Sequence, residues 1–122
     1  MGVDNLIKVF DENYYSSLDG GILEAFSKLF IKNITILLYP MLQKNKIINS
    51  SNLVVSKNMK NLYKYFIKNL RILDILDYNR TYLSIFSWDV LKKIQSNQKG
   101  WESSLPDNVS DLIKQKKLFG IN

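Results

Sequence analysis

Apolar residues return at three- and four-residue steps over most of this chain, the spacing that lays one face of an α-helix against a core. Ile22, Phe26, Leu29, Phe30 and Leu37 predict a first long helix over residues 21–39, with Asp19 before it as a cap. Pro40 has no amide hydrogen to give and restrains Tyr39, so the helix must stop or kink there. The short, branched run at 34–38 also fits a β-strand, and the pattern leaves both readings open. Leu62, Phe66, Leu70, Leu73 and Leu76 predict a second helix over 57–76. Leu83, Phe86, Val90 and Ile94 predict a third over 79–96, with Ile85, Trp88 and Leu91 widening its apolar side and Gly100 breaking it.

The connections are polar. Residues 43–58 carry an Asn-Ser-Ser-Asn cluster, a loop signal, with Ile47-Ile48 and Leu53 to Val55 as brief extended pieces. Near the start, Leu6, Ile7 and Phe10 suggest a short helix, after which the chain loosens around Tyr14 and Tyr15. In the tail, Ser104-Leu-Pro-Asp107 matches a capping box, acids precede lysines in the sense the helix dipole favours, and Gly120 can close the turn. Val109, Leu112 and Ile113 form a narrow apolar edge, with Trp101, Leu118 and Phe119 as docking anchors. The expected fold class is all-α: a small helical bundle of three main helices plus a docked C-terminal helix, in a single domain over 1–122 with a loosely packed arm at 1–20 and a docked tail at 101–122.

Composition narrows the chemistry more than the architecture. The chain has no cysteine and no histidine. Disulfides, thiolate nucleophiles, His-based triads and His or Cys metal ligation within the chain are therefore excluded, and the expectation is no catalytic residue, no metal and no cofactor. Asp4, Asp11 and Glu12 interrupt the N-terminus, so no signal peptide is read there, and an intracellular, non-secreted location is expected. The longest apolar run, residues 34–42, is too short to span a bilayer. Four glycosylation sequons, at Asn33, Asn49, Asn79 and Asn108, are what chance gives in a chain so rich in Asn and Ser.

The net charge of +6 matters because of where it lies. Residues 25–73 hold nine cations and no acid: Lys28, Lys32, Lys44, Lys46, Lys57, Lys60, Lys64, Lys68 and Arg71. The last five step by three and four and so align on one face of the second predicted helix, with Tyr63 and Tyr65 between them. Such a stripe suits an anionic partner, and its plain alternative is a solvated face in a lysine-rich chain. With fifteen Lys to two Arg, the forked recognition of bases or phosphates is poorly supplied. Asp74 and Asp77 would share a helix face but make a weak acid–base pair; Arg71 pairing and helix capping are the structural roles expected of them.

Leu62-Tyr63-Lys64, then Lys68 and Arg71, then residues 77–82 (DYNRTY) and residues 90–98 (VLKKIQSNQ) resemble the LYR-motif family of small mitochondrial proteins over about a third of the chain, with Lys64 at the motif's Arg. The resemblance implies an accessory or assembly factor of the mitochondrial matrix that binds acyl carrier protein, an acidic partner, through its basic helix. Residues 105–120 also look like the closing helix of nicotinate-nucleotide adenylyltransferases, whose nucleotide site needs the histidines that this chain lacks. The leading expectation is a non-enzymatic interaction module in which Lys57, Lys60, Tyr63, Lys64, Lys68 and Arg71 meet an acidic protein. A nucleic-acid-binding helical module using the same lysines, and a small enzyme using carboxylate or lysine chemistry on an anionic substrate, are the alternatives.

Overall fold

The computed structural model describes residues 1–31 and 34–121. Lys32 and the sequon at Asn33, both named above, lie outside the described residues. The chain forms two compact units, Met1–Arg80 and Thr81–Asn122.

The first unit mixes helices and strands. It runs α1 (Val3–Val9), α2 (Gly21–Leu29), β1 (Ile36–Leu38), β2 (Met41–Gln43), β3 (Lys46–Ile48), α3 (Lys60–Lys68) and β4 (Ile72–Asp74). This corrects the all-α helical bundle expected from periodicity. The predicted helix over 21–39 ends at Leu29, and the residues before Pro40 form β1, the strand reading of that run. The predicted helix over 57–76 ends at Lys68 and its last third becomes β4. The stop at Lys68 is a Schellman motif: Leu70 takes a left-handed φ of 55°, its amide donates to Ile67 O, and the Arg71 amide donates to Phe66 O. Leucine rather than glycine fills that left-handed position, so no residue type announced the break.

β1 and β4 pair in parallel, with Ile36 opposite Ile72, Leu37 opposite Leu73 and Leu38 opposite Asp74. A parallel bridge between Gly2 and Tyr39 adds the first residues on the other side of β1. Side chains alternate across this small sheet. Leu38 and Ile72 face the core at 0% and 2% exposure, while Leu37 and Leu73 lie outside at 56% and 40%. β2 and β3 form an antiparallel hairpin whose two-residue turn, Lys44-Asn45, has positive φ at both positions (48° and 63°), the geometry that matches strand twist.

The core of this unit is aromatic. Phe10 makes edge-to-face contacts with Phe26, Tyr63 and Phe66 at centroid distances of 5.2, 5.2 and 5.8 Å, and Phe30 meets Phe66 at 4.5 Å. Each such pair adds about 0.5–1.5 kcal/mol to simple area burial. Val3, Leu6 and Phe10 are at most 1% exposed, so the segment expected to be a loose arm supplies the centre of the core. Tyr15 packs on Phe26 and donates its hydroxyl to Val9 O, whereas Tyr14 is exposed.

The second unit holds α4 (Ser87–Gln95) and α5 (Val109–Gln115). The third predicted helix, 79–96, is shortened: Arg80–Tyr82 is a single 3₁₀ turn, and α4 begins only at Ser87. Asn97, at φ 52°, ends α4 with the same hydrogen-bond pattern as Leu70, three residues before the glycine expected to break it. Val90, Ile94, Trp101 and Ile113 form the core, with Leu105, Val109 and Ile121 against it. The expected capping box is not made. Ser104 ends a 3₁₀ turn at Glu102–Ser104, Leu105 is extended, and α5 starts after Asn108 in a left-handed conformation with no side-chain cap. Trp101, expected as a docking anchor, is 3% exposed within the core, while Leu118 and Phe119 are 38% and 54% exposed. No helix among the described residues is long and apolar enough to cross a membrane.

Candidate functional site

The site is built on α3 of the first unit. An amphipathic α3 buries Tyr63 and Phe66 and turns Lys60, Lys64 and Lys68 outward, all three exposed. Four residues rise about 6 Å along a helix, so the three ammonium groups are carried on a line of about 12 Å. None of the three has an ion-pair partner among the described residues, where the ion pairs are Lys28–Glu24, Lys93–Asp89 and Lys114–Glu102. Lys57 stands on the 3₁₀ turn Lys57–Met59 that precedes α3. Arg71 lies beyond the Schellman stop, where its Nη1 donates to Ile34 O at 3.1 Å. The five-residue stripe is therefore three lysines on one helix, with its two outer members on other backbone.

The two tyrosines separate. Tyr63 is buried, and its hydroxyl donates to Ser50 O at 2.7 Å. Burial, and then the negative charge of Asp74, push its pKa up to about 12. It is a core residue at 7% exposure, and its small accessible part lies on a cleft beside α3. Tyr65 is 59% exposed, with one side of its ring region against Phe66.

Facing α3 is the loop after β3. The Ser50 amide donates to Asp74 Oδ1 at 2.9 Å and its hydroxyl to Asp74 Oδ2 at 2.6 Å. Asn52 Oδ1 accepts from the Asn49 amide, while Asn52 Nδ2 donates to Ile47 O. Asn49 Oδ1 accepts from the amide and hydroxyl of Ser51. These bonds hold Asn49 to Asn52 as a rigid turn. They also correct the roles expected of the two acids: Asp74 is on a strand rather than a helix, its carboxylate is taken by Ser50 rather than Arg71, and Asp77 follows in irregular chain. No group of three potential metal-ligating acids exists among the described residues.

Between this turn and α3 lies an open cleft of about 620 Å³. Leu53, Val54, Val55 and Ile67 line it with aliphatic surface, together with Ser50, Ser51 and the mostly buried Tyr63, and the exposed Lys60, Lys64 and Lys68 form its rim. Asp74 does not line it. The cleft sets lysine charge beside aliphatic surface, and no carboxylate is among its lining residues. Sequence periodicity found the lysines but missed the opposite wall, because the loop at 50–55 carries no periodic signal of where it will pack. Comparison with protein-family models, curated proteins and solved structures gave no match for this chain.

Proposed function

We propose that this chain is a non-enzymatic interaction module, a small accessory subunit or assembly factor, that presents the α3 lysines to an acidic protein. The observation that carries this reading is the row Lys60, Lys64 and Lys68: exposed, a turn apart, and without ion-pair partners among the described residues. Placing three like charges together costs a little stability on the free helix and repays it only against negative charge. Lys57 extends the row at its start. Tyr63 serves it from beneath, by fixing the turn at Ser50 rather than by touching the partner. Arg71, held on Ile34 O, borders the face. The resemblance of residues 61–98 to LYR-motif proteins makes acyl carrier protein the first partner to try and the mitochondrial matrix the compartment in which to look.

The test is affinity capture with the full chain, comparing wild type with the triple change Lys60→Glu, Lys64→Glu and Lys68→Glu. All three positions are exposed, so circular dichroism should be unchanged. Loss of one defined acidic protein supports the reading. An unchanged set of captured proteins sinks it. Tight binding to single-stranded RNA with a steep salt dependence, lost in the same variant, would replace it with the nucleic-acid reading.

A further inference from the structure

The rim lysines account for attraction to an acidic surface, but they do not account for the floor beside them. Val54 is 80% exposed, and Leu53 on its loop and Ile67 on α3, beside the lysine row, are half-buried in the same cleft. An aliphatic strip running beside a row of cations is complementary to one kind of surface: an amphipathic segment with carboxylates on one edge and an apolar ridge next to them. Resting on the reading above, we propose that the partner is held by an acidic amphipathic helix whose apolar side chain seats between Val54 and Ile67. Its carboxylates would lie one turn apart, opposite Lys60, Lys64 and Lys68. A helix supplies both features at once, because side chains four apart stand in line and those one position on form the adjoining ridge. The cleft can receive it without rearrangement, since its loop wall is already fixed by Asp74, Asn49 and Asn52. The inserted side chain then acts as an anchor in a desolvated pocket, and the ion pairs surround it.

The probe is a synthetic helical peptide of about 18 residues, five turns long, with Glu at every fourth position and Leu at each following one. A second peptide has every Leu replaced by Ser. Binding to the full chain is followed by fluorescence anisotropy at low and at near-physiological salt. The Leu peptide should bind, and the Ser peptide should bind at least roughly tenfold more weakly. Val54→Ser, which removes the apolar surface and adds no charge, should reduce Leu-peptide binding by a similar factor and leave the Ser peptide nearly unaffected. Val54 is so exposed that this change leaves the fold intact, which circular dichroism checks. Equal binding of both peptides overturns the anchor but leaves the lysine face as an acidic-partner site. Failure of both peptides to bind overturns the anchor and, if an acidic protein is still captured through Lys60, Lys64 and Lys68, again leaves that reading standing. Failure of both peptides together with binding of RNA or anionic vesicles overturns both.

Discussion

Ser50 and Asp74 are joined twice, amide to Oδ1 and hydroxyl to Oδ2, across 24 positions of sequence. The pairing exists because β4 turns Asp74 to the inner side of the sheet, where the loop after β3 meets it. Hydrogen bonds to an ionised partly buried group contribute about 1.5–3 kcal/mol, more than bonds between neutral groups. Ser50→Ala removes the hydroxyl bond and keeps the amide bond, and should lower stability by about 1–2 kcal/mol in urea unfolding. Asp74→Asn weakens both and should cost at least as much. If neither change moves the midpoint, the turn is held by its asparagines and by Tyr63.

Tyr63 predicts an alkaline limit to stability. Its folded-state pKa, raised to about 12 chiefly by burial, stands above the ordinary value of 10.0. Between those values the unfolded chain loses the phenolic proton while the native chain keeps it. The contribution is therefore complete below pH 10 and falls away as pH rises toward 12. Thermal unfolding followed across that range should show the decline, and Tyr63→Phe should flatten this part of the curve while removing the bond to Ser50 O. An equally steep decline in the Phe variant would assign it to other groups.

The hairpin turn is a place where stability can be added. Lys44 and Asn45 both occupy left-handed backbone, which costs a residue with a Cβ about 1–2 kcal/mol unless, like Asn, it tolerates that region. The double change Lys44→Asn with Asn45→Gly gives the turn its preferred residues. An increase of about 1 kcal/mol in urea unfolding is expected. A decrease would mean that the lysine stem contributes contacts that outweigh its backbone strain.

The two tryptophans report on the second unit independently. Trp101 is 3% exposed beneath Lys114, whose Nζ lies 5.4 Å from the ring centroid and pairs with Glu102 at 2.8 Å. That partner also holds the Glu102 carboxyl below its ordinary range, first through the side-chain hydrogen bond. Trp88 is 56% exposed and stacked on Phe86. Trp88→Phe should leave blue-shifted emission that acrylamide quenches poorly. Trp101→Phe should leave red-shifted, readily quenched emission and should also destabilise the unit, because a core ring is exchanged for a smaller one. The reverse pattern would place the core elsewhere.

The parts of this fold that could be read in the sequence are those whose signal is local. Of Leu83, Phe86, Val90 and Ile94, expected on one helix face, Val90 and Ile94 are buried on α4, while buried Leu83 and half-buried Phe86 lie before it; Phe66 is on the core side of α3 as expected. The lysine row on α3 was legible for the same reason. The strands were not. β1 and β4 have three residues each, too few for alternation to show, and each finds its partner 36 positions away (72 − 36). Leu73 and Leu76 therefore looked like members of a helical stripe, yet they are exposed at 40% and 85%. Helix ends were hidden in a second way: Leu70 and Lys117, residues without a preference for left-handed backbone, hold it at the helix stops where glycine would have been expected.

The long reach between β1 and β4 has a consequence for how the chain is made. During synthesis, Ile36 to Leu38 leave the ribosome before Ile72 to Asp74 do. Through that interval β1 has only the Met1–Val3 segment for backbone company, and its apolar side chains wait in water. The early hairpin at Lys44-Asn45 forms from neighbours and can close at once, whereas the sheet must await the end of α3. A pause in translation after Ile36 to Leu38 have emerged and before Ile72 to Asp74 follow would prolong the time that an unpaired apolar strand edge stands open to other nascent chains.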